Sequence, residues 1–398
     1  MLRLAYFSPL PPQRTGIADY SRELLPHLAR QAEITLFTDQ PEGVAPPLRQ
    51  EFVIKATREY PDLRWSYDIA VYQMGNSAYH EAMYQVMLRH PGIMVLHEYT
   101  LHHFIASQTI ERGDFAGYIR EMGYALGGRG LRRAREVQHG LRPPPFFEVP
   151  LNNRLWDLSL GIIVHSGEVL KKTRRQDSYI LDVPVQVVPA PIGRYPSSGA
   201  SLMRKRLGWP EDALIFASVG LVTAAKRLDM ALRAFDRLQE SYSEVFYLIV
   251  GDVLHAEVEI RRLLEDRADP RRVRYIDFVE SLEEFVGWIT AADVIVNLRD
   301  PTAGETSATA LRALAAGRPL IVFDHGWYAE LPDDVCVKVP VRDEESLSEA
   351  MRQLADNAAL RRQMGVRAAR YAREIHDPAR TAQAYMAFID QVLAGLKQ

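Results

Sequence analysis

No stretch narrows the fold of this chain as far as residues 291–330, AADVIVNLRDPTAGETSATALRALAAGRPLIVFDHGWYAE. It reads as a complete strand, loop, helix and strand with its polar residues gathered at the turns. Residues 293–296 are a short apolar run of strand type. The loop 297–305 carries Arg299, Asp300, Gly304 and Glu305, Thr306 or Ser307 can cap a helix reaching Ala316, and Gly317 and Pro319 end it. Residues 320–323 are the next strand. In a parallel sheet the loop after a strand and the first turn of the following helix lie at the carboxyl edge, where ligands bind. Glu305 therefore belongs to such an edge, next to helix-start N–H groups that can seat an anionic phosphate. Taken alone, the fragment is equally an ordinary crossover with a solvated Glu305.

The same alternation runs through the chain twice. Strand patterns at 2–7, 33–37, 69–73, 92–96, 161–164 and 185–188 are separated by helical or irregular segments, beginning with a Pro-rich loop at 8–16 and a helix at 17–30. After Pro189 the chain passes through PAPIGRYPSSG, a linker by composition. A second series runs through 214–219, 246–250, 273–276, 294–296, 320–323 and 336–339, with a helix at 227–238, and residues 346–398 are mostly helical. This predicts an α/β chain of two doubly wound, Rossmann-like domains facing each other across a cleft, the expected seat of a ligand.

Composition narrows the classes. A length of 398 residues suits two cores, and a formal net charge of −3 gives no global reason to expect nucleic acid. The single cysteine, Cys336, excludes an intramolecular disulfide and a cysteine zinc cluster. No signal pattern opens the chain and no apolar run reaches a membrane span, so the expected location is cytoplasmic, with room for peripheral contact at the inner face of the membrane. GxGxxG after the first strand, a Walker loop, HExxH, an EF-hand loop and GxSxG are all missing, which disfavours dinucleotide, P-loop, metalloprotease and serine-hydrolase chemistry.

What remains is a set of polar strand ends. After the strand ending at Val219, Gly220 lets a backbone approach a diphosphate, and Lys226 and Arg227 at the strand-to-helix turn can neutralise it. Asp252 comes after another strand of that half and reads as a turn residue. In the first half Gly16 precedes a helix start, as a phosphate or sugar seat or simply as a loop glycine. His97 and Glu98 come after the strand ending at Leu96, and a hydrogen bond from His97 to a sugar is as plausible as a structural role. His165 with Ser166, and Asn76 with His80, end strands in the same way. The basic run 129–142 (RGLRRAREVQHGLR) reads as a solvated helix face, and less readily as a seat for an anionic acceptor or lipid headgroups.

Assembled in order, RTGIADYS, VLHEYTLH, IIVHS, SVGLVTAAKRLDMALRAF, LIVGD, AADVIVNLRDPTAGETS and ALRALAAGRPLIV resemble the retaining GT-B glycosyltransferases of the large bacterial group 1, which includes phosphatidylinositol mannosyltransferases and sucrose-phosphate synthases. The resemblance implies an acceptor-side domain over residues 1–193, joined by a C-terminal helix at about 376–398, and a nucleotide-sugar domain over 197–375. It implies hexose transfer with retention from a nucleotide-diphosphate sugar, of UDP-glucose or GDP-mannose type, to a glycan, lipid-linked or small-molecule hydroxyl. Lys226 then matches the phosphate-binding lysine, Glu305 the first glutamate of a paired motif, His97 the histidine near the reacting sugar and Gly16 the glycine near the diphosphate. Gly220, Arg227, Gly304, Thr306 and Ser307 complete the donor contacts, with no metal and no cofactor required. Three departures stand out. Leu221 replaces the family's arginine, so that Arg227 would supply the second charge; Arg312 falls where the second glutamate belongs; and the segment from Glu305 to Gly317 is one residue short, which leaves Glu305 or Gly304 at the first-glutamate position, with Glu305 favoured. Leu221 and Arg312 keep open a silent sugar-nucleotide-binding scaffold, and a GT-B sugar-nucleotide epimerase is the third reading.

Overall fold

The computed structural model describes residues 1–175, 183–195, 199–253, 258–266, 271–279 and 281–396. It divides into two compact units. One comprises Met1–Pro191, Ala303–Thr306 and Pro378–Gln398, the other Ile192–Thr302 and Ser307–Asp377.

The first unit is built on a parallel sheet of seven strands, β1 (Leu2–Phe7), β2 (Ala32–Thr38), β3 (Val53–Ala56), β4 (Ile69–Met74), β5 (Ile93–Leu96), β6 (Gly161–Val164) and β7 (Val185–Val187), in the order β3-β2-β1-β4-β5-β6-β7. Strands β4 to β6 are buried along their whole length, which is why they read as continuous apolar runs rather than alternating ones. Strand β3 went unread for the opposite reason. It is a short edge strand, VIKA, with Val53 60% exposed, so it has neither a buried run nor a second neighbour to shape its sequence.

The second unit has six parallel strands, β8 (Leu214–Val219), β9 (Val245–Val250), β10 (Val273–Ile276), β11 (Val294–Val296), β12 (Leu320–Phe323) and β13 (Cys336–Val339), in the order β10-β9-β8-β11-β12-β13. Its core joins Phe216, Phe235, Tyr247, Ile249, Ile321 and Phe323, all essentially inaccessible. Burying each of these side chains stabilises the unit by about 1.5–3 kcal/mol against exposure.

Five helices matter for the placement of functional residues. Helix α1 (Gly16–Leu28) comes after β1 and α2 (Phe115–Gln138) lies between β5 and β6; α3 (Leu228–Gln239) comes after β8, α4 (Ala308–Ala315) connects β11 to β12, and α5 (Pro378–Gly395) ends the described chain. Helix α5 belongs to the first unit because its apolar face is spent there. Tyr385, Phe388, Ile389 and Val392 are buried, the Tyr385 hydroxyl is hydrogen-bonded to that of Tyr20 on α1, and Gly161 of β6 lies so close that a Cβ there would come within 2.6 Å of Val392 Cγ2. Of the linker, residues 196–198 lie outside the described residues.

In both sheets the strand order reverses direction between the first strand and its second-half neighbour, at β1/β4 and at β8/β11. The crevice outside the carboxyl ends at such a switch point is where open α/β sheets bind ligands. The loops concerned are 8–15 and 75–77 in the first unit, and 220–227 and 297–302 in the second.

Candidate active site

At the second switch point, β8 ends at Val219 and Gly220 turns the chain with φ +97°, a conformation that costs an L residue strain. Its N–H still donates to Val250 O at 2.8 Å, which continues the sheet for one residue. The chain then forms a single 3₁₀ turn, Ala224–Lys226, and Lys226 folds back so that Nζ donates to Val219 O at 2.7 Å. A Cβ on Gly220 would lie 2.8 Å from Lys226 Nζ and 2.8 Å from Thr309 Oγ1 of α4. Glycine is thus required twice here, for its backbone angle and for the space that the ammonium and hydroxyl share. The Lys226 stem keeps partial exposure while its ammonium is enclosed. Burial first, and the charge of Arg299 second, hold its pKa well below the ordinary lysine value.

Ser307 is the N-cap of α4: its Oγ accepts from Ala310 N–H at 3.2 Å and lies 3.5 Å from Asn297 Oδ1, which also accepts from Tyr328 OH at 2.6 Å. The Ser307 hydroxyl is therefore committed to the cap, and the residue that the first turn of α4 presents beside Lys226 is Thr309. Sequence reasoning passed over Thr309, although the position two residues past a cap was the signal that could have found it.

Arg227 is turned differently from the expectation that it supplies a second phosphate charge. It sits at φ +50° with Nε 3.2 Å from Asp229 Oδ1 and Nη1 3.6 Å from Asp300 Oδ2. Asp300 in turn accepts from Arg342 Nε at 2.6 Å, and its own N–H donates to Ala225 O at 2.7 Å. Two carboxylates thus neutralise Arg227, and the cation that acts on Lys226 is Arg299. Leu221 is 48% exposed, Arg312 is buried in α4 at 4% exposure, and the Asp252 carbonyl accepts from Val222 N–H at 2.8 Å as part of a parallel bridge between Val222 and Val253, which engages the Asp252 backbone in pairing beyond the strand ends rather than in a turn.

In the first unit Thr15 caps α1, its Oγ1 accepting from Ile17 N–H at 3.3 Å, and Gly16 is the exposed first residue of the helix. His97, one residue past β5, has Nε2 2.7 Å from Gln73 Oε1 and its ring edge-on to Tyr20 at 4.6 Å, with His165 at 5.0 Å. Burial, then the neighbouring His165 and His80, push its pKa well below the ordinary histidine value, so the imidazole is neutral. Asn76 holds this loop in place. Its N–H donates to Glu98 Oε2 at 2.6 Å and its Oδ1 accepts from Phe104 N–H at 2.8 Å. His165 is tied to the Val188 carbonyl at 2.8 Å, Ser166 is buried, and His80 is buried with Nδ1 donating to Ser77 O at 2.9 Å.

Residues 303–306, read from the sequence as part of the second-half loop, group with the first unit. Thr100 N–H donates to Ala303 O at 2.9 Å, and Gly304, at φ +81°, approaches Tyr99 so closely that a Cβ would fall 2.6 Å from Tyr99 Cβ. The loop bearing Glu305 and the loop bearing His97 are therefore held together. Next to Glu305, the Thr306 hydroxyl is enclosed with no hydrogen-bond partner among the described residues.

The Glycosyl transferases group 1 family matches residues 213–357, a span that contains Gly220, Lys226, Arg299, Glu305 and Thr309. Apart from residues 303–306, the matched span lies in the second unit. A D-inositol 3-phosphate glycosyltransferase of Streptomyces avermitilis is 30% identical over 189 residues, 44% of this chain and 40% of that protein, so the match spans less than half of the relative. Among solved structures, sucrose-phosphate synthase from Thermosynechococcus elongatus superposes with a TM-score of 0.69 at 16% identity, covering 99% of this chain and all of that one. Anabaena HepE in complex with UDP gives 0.67 at 14% identity over 98% of this chain and all of its own, and HepE has also been solved with UDP-glucose. The fold of the chain is thus GT-B, two Rossmann-like domains, and the span similar to the group 1 family is built on the second sheet.

Proposed function

We propose that this protein is a retaining glycosyltransferase that moves a hexose from a nucleoside-diphosphate sugar, of the UDP-glucose or GDP-mannose type, to a hydroxyl of a glycan, lipid-linked or small-molecule acceptor. The observation that carries the reading is the cradle at the β8/β11 switch point, where Gly220, the enclosed Lys226 ammonium and Thr309 at the start of α4 meet beside Arg299. That cradle lies inside the span similar to the group 1 family, and HepE, alike in fold, binds UDP and UDP-glucose. As the bond from the sugar's anomeric carbon to the diphosphate oxygen breaks, negative charge grows on the leaving group. Lys226 and the first turn of α4 stabilise it where it develops, in a site with little water to screen them. Glu305 positions the donor sugar. The neutral His97 hydrogen-bonds a sugar hydroxyl. No side chain is assigned as a covalent nucleophile, and the cations of the site balance the diphosphate without a metal ion. The protein would work in the cytoplasm, at the inner face of the membrane when its acceptor is lipid-linked.

The test is incubation with a panel of sugar nucleotides in EDTA, monitoring release of nucleoside diphosphate and the anomeric configuration of the product by NMR. Release from UDP-glucose or GDP-mannose in chelator, with the α-anomer preserved, is expected. Binding without release from any donor would make the chain a silent binder, conversion of the donor without an acceptor an epimerase, and rescue by Mg²⁺ would remove the metal-free site.

A further inference from the structure

Strand β4 reads IAVYQM and is buried along its whole length, and Gln73, at 0% exposure, is the one amide side chain in it. A buried amide costs stability unless its polar atoms find hydrogen-bond partners. Gln73 Oε1 finds His97 Nε2 at 2.7 Å, and the Tyr385 hydroxyl of α5, itself hydrogen-bonded to Tyr20, is the other polar group that the amide meets. The pairing of β4 with β5 sets Gln73 opposite Val95, two residues before His97, which brings the two side chains together at neighbouring strand ends.

An amide oxygen only accepts, so the ring nitrogen that faces it carries the proton. In a neutral imidazole the other nitrogen, Nδ1, then holds a lone pair and no hydrogen. His97 Nδ1 makes no hydrogen bond among the described residues, and it is not enclosed as His80 Nε2 is. The ring cannot turn over to exchange its nitrogens without losing Gln73, and Tyr20 stands edge-on to it at 4.6 Å with His165 at 5.0 Å. A histidine held only to satisfy the core closes both ring nitrogens. His102 of the same unit is held in that way, with Nδ1 on Val149 O at 2.7 Å and Nε2 on Tyr118 OH at 2.8 Å. His97 closes one nitrogen and leaves the other open, one residue past β5 at the carboxyl edge of its sheet.

We propose that Gln73 is a positioning residue that keeps the His97 proton on Nε2, so that Nδ1 meets the bound sugar as an acceptor and takes a hydrogen bond from one of its hydroxyls. The contact selects a group that can donate. An ether, a carbonyl or a fluorine in the same place would set its lone pairs against that of Nδ1. For the identity of the ligand this rests on the proposed function; the tautomer itself is a property of the free protein.

The experiment is long-range proton–nitrogen NMR of the full chain labelled with ¹⁵N-histidine at about pH 8, where a neutral ring reports which of its nitrogens is protonated. His97 is assigned from the signals lost in His97→Gln. The wild type is expected to show the Nε2–H form of His97 alone, and Gln73→Leu, which keeps the bulk and removes the acceptor, a mixture of the two forms. The same variant should bind UDP-glucose or GDP-mannose about tenfold more weakly, and the matching nucleoside diphosphate as tightly as the wild type does, because only the sugar meets Nδ1. A purely structural role for Gln73 would weaken both ligands together or neither, and either result overturns the proposal. So does an Nδ1–H form in the wild-type chain, which needs no variant, and so does a single unchanged form in Gln73→Leu. Absence of sugar-nucleotide binding by the wild type would instead overturn the function on which the sugar contact rests, with the tautomer of His97 still read from the spectrum.

Discussion

Lys226 is in tension with its surroundings in the free protein. Its ammonium has one carbonyl acceptor, Val219 O, while burial and Arg299 favour the uncharged amine. A bound diphosphate removes the tension by supplying the missing negative charge. Lys226→Ala should therefore leave the melting temperature of the ligand-free protein close to wild type and depress turnover on the order of a hundredfold; unchanged turnover would take Lys226 out of the mechanism. The same argument gives a pH dependence. The free site has a depressed lysine pKa and the occupied site a restored one, so the complex holds more protons and binding takes up a proton. UDP affinity should fall as pH rises, and the calorimetric enthalpy should differ between buffers of different ionisation enthalpy. Affinity that is flat with pH, in the wild type as in Lys226→Ala, would contradict this.

Two loops from different strands have to be kept in register for that lysine to meet Thr309 and Arg299. Asp300 performs this task, since its N–H bonds the Ala225 carbonyl in the turn before Lys226 while its carboxylate holds Arg342 and Arg227. The Asp300 side chain is largely enclosed, at 11% exposure, so the Arg342 contact is not an ordinary surface pair. Asp300→Ala should leave Arg227 without one of its carboxylates, loosen the 220–227 loop and raise KM for the donor about tenfold, with a smaller loss in kcat. A mutant with wild-type KM would show that the loops are aligned by something else.

At the scale of the molecule the two units differ in how they meet acid. His80, His97 and His102 all belong to the first unit, and burial pushes His80 and His102 down to about 4. His102 shows why, with Nδ1 donating to Val149 O at 2.7 Å and Nε2 accepting from Tyr118 OH at 2.8 Å, an arrangement that only the neutral ring can make. Above the unfolded value of 6.5 neither state is protonated and stability is full. Between 6.5 and about 4 the unfolded chain takes up protons that the folded unit refuses, so stability falls as pH falls, by on the order of 3 kcal/mol for each fully buried histidine. Scanning calorimetry should show the first unit's transition moving down before the second's, and a first unit that outlasts the second at pH 4.5 would contradict this. A fragment of residues 192–377 should still bind UDP within roughly tenfold of the whole chain, about 1.4 kcal/mol, because the Gly220, Lys226 and Thr309 cradle is internal to it. It should transfer no sugar, since His97 and the Tyr99 and Thr100 backbone that holds residues 303–306 are left behind. Folded fragment with no UDP affinity would place the donor elsewhere.

What the sequence determined by itself was whatever depends on neighbours close along the chain. Buried parallel strands appear as apolar runs, Gly220 and Gly317 as turns, Thr306 or Ser307 as a cap, and their order down the chain was enough to carry both the fold and the group 1 resemblance; the exposed edge strand VIKA, with little to bury, left no such trace. The tertiary structure decided where side chains point and with whom they pair. Arg227, a free cation on paper, is neutralised by Asp229 and by Asp300, 73 residues away. Thr309 comes up to Gly220, on which Lys226 also closes, only because β8 and β11 are neighbours in the sheet. Residues 303–306 leave the unit that encodes them for Tyr99 and Thr100, and the basic run at 129–142 became a folded-back arm only through the positive φ of Gly127. Periodicity and turn chemistry are local and are written in consecutive residues; charge pairing and packing depend on distances across space, which no local pattern records.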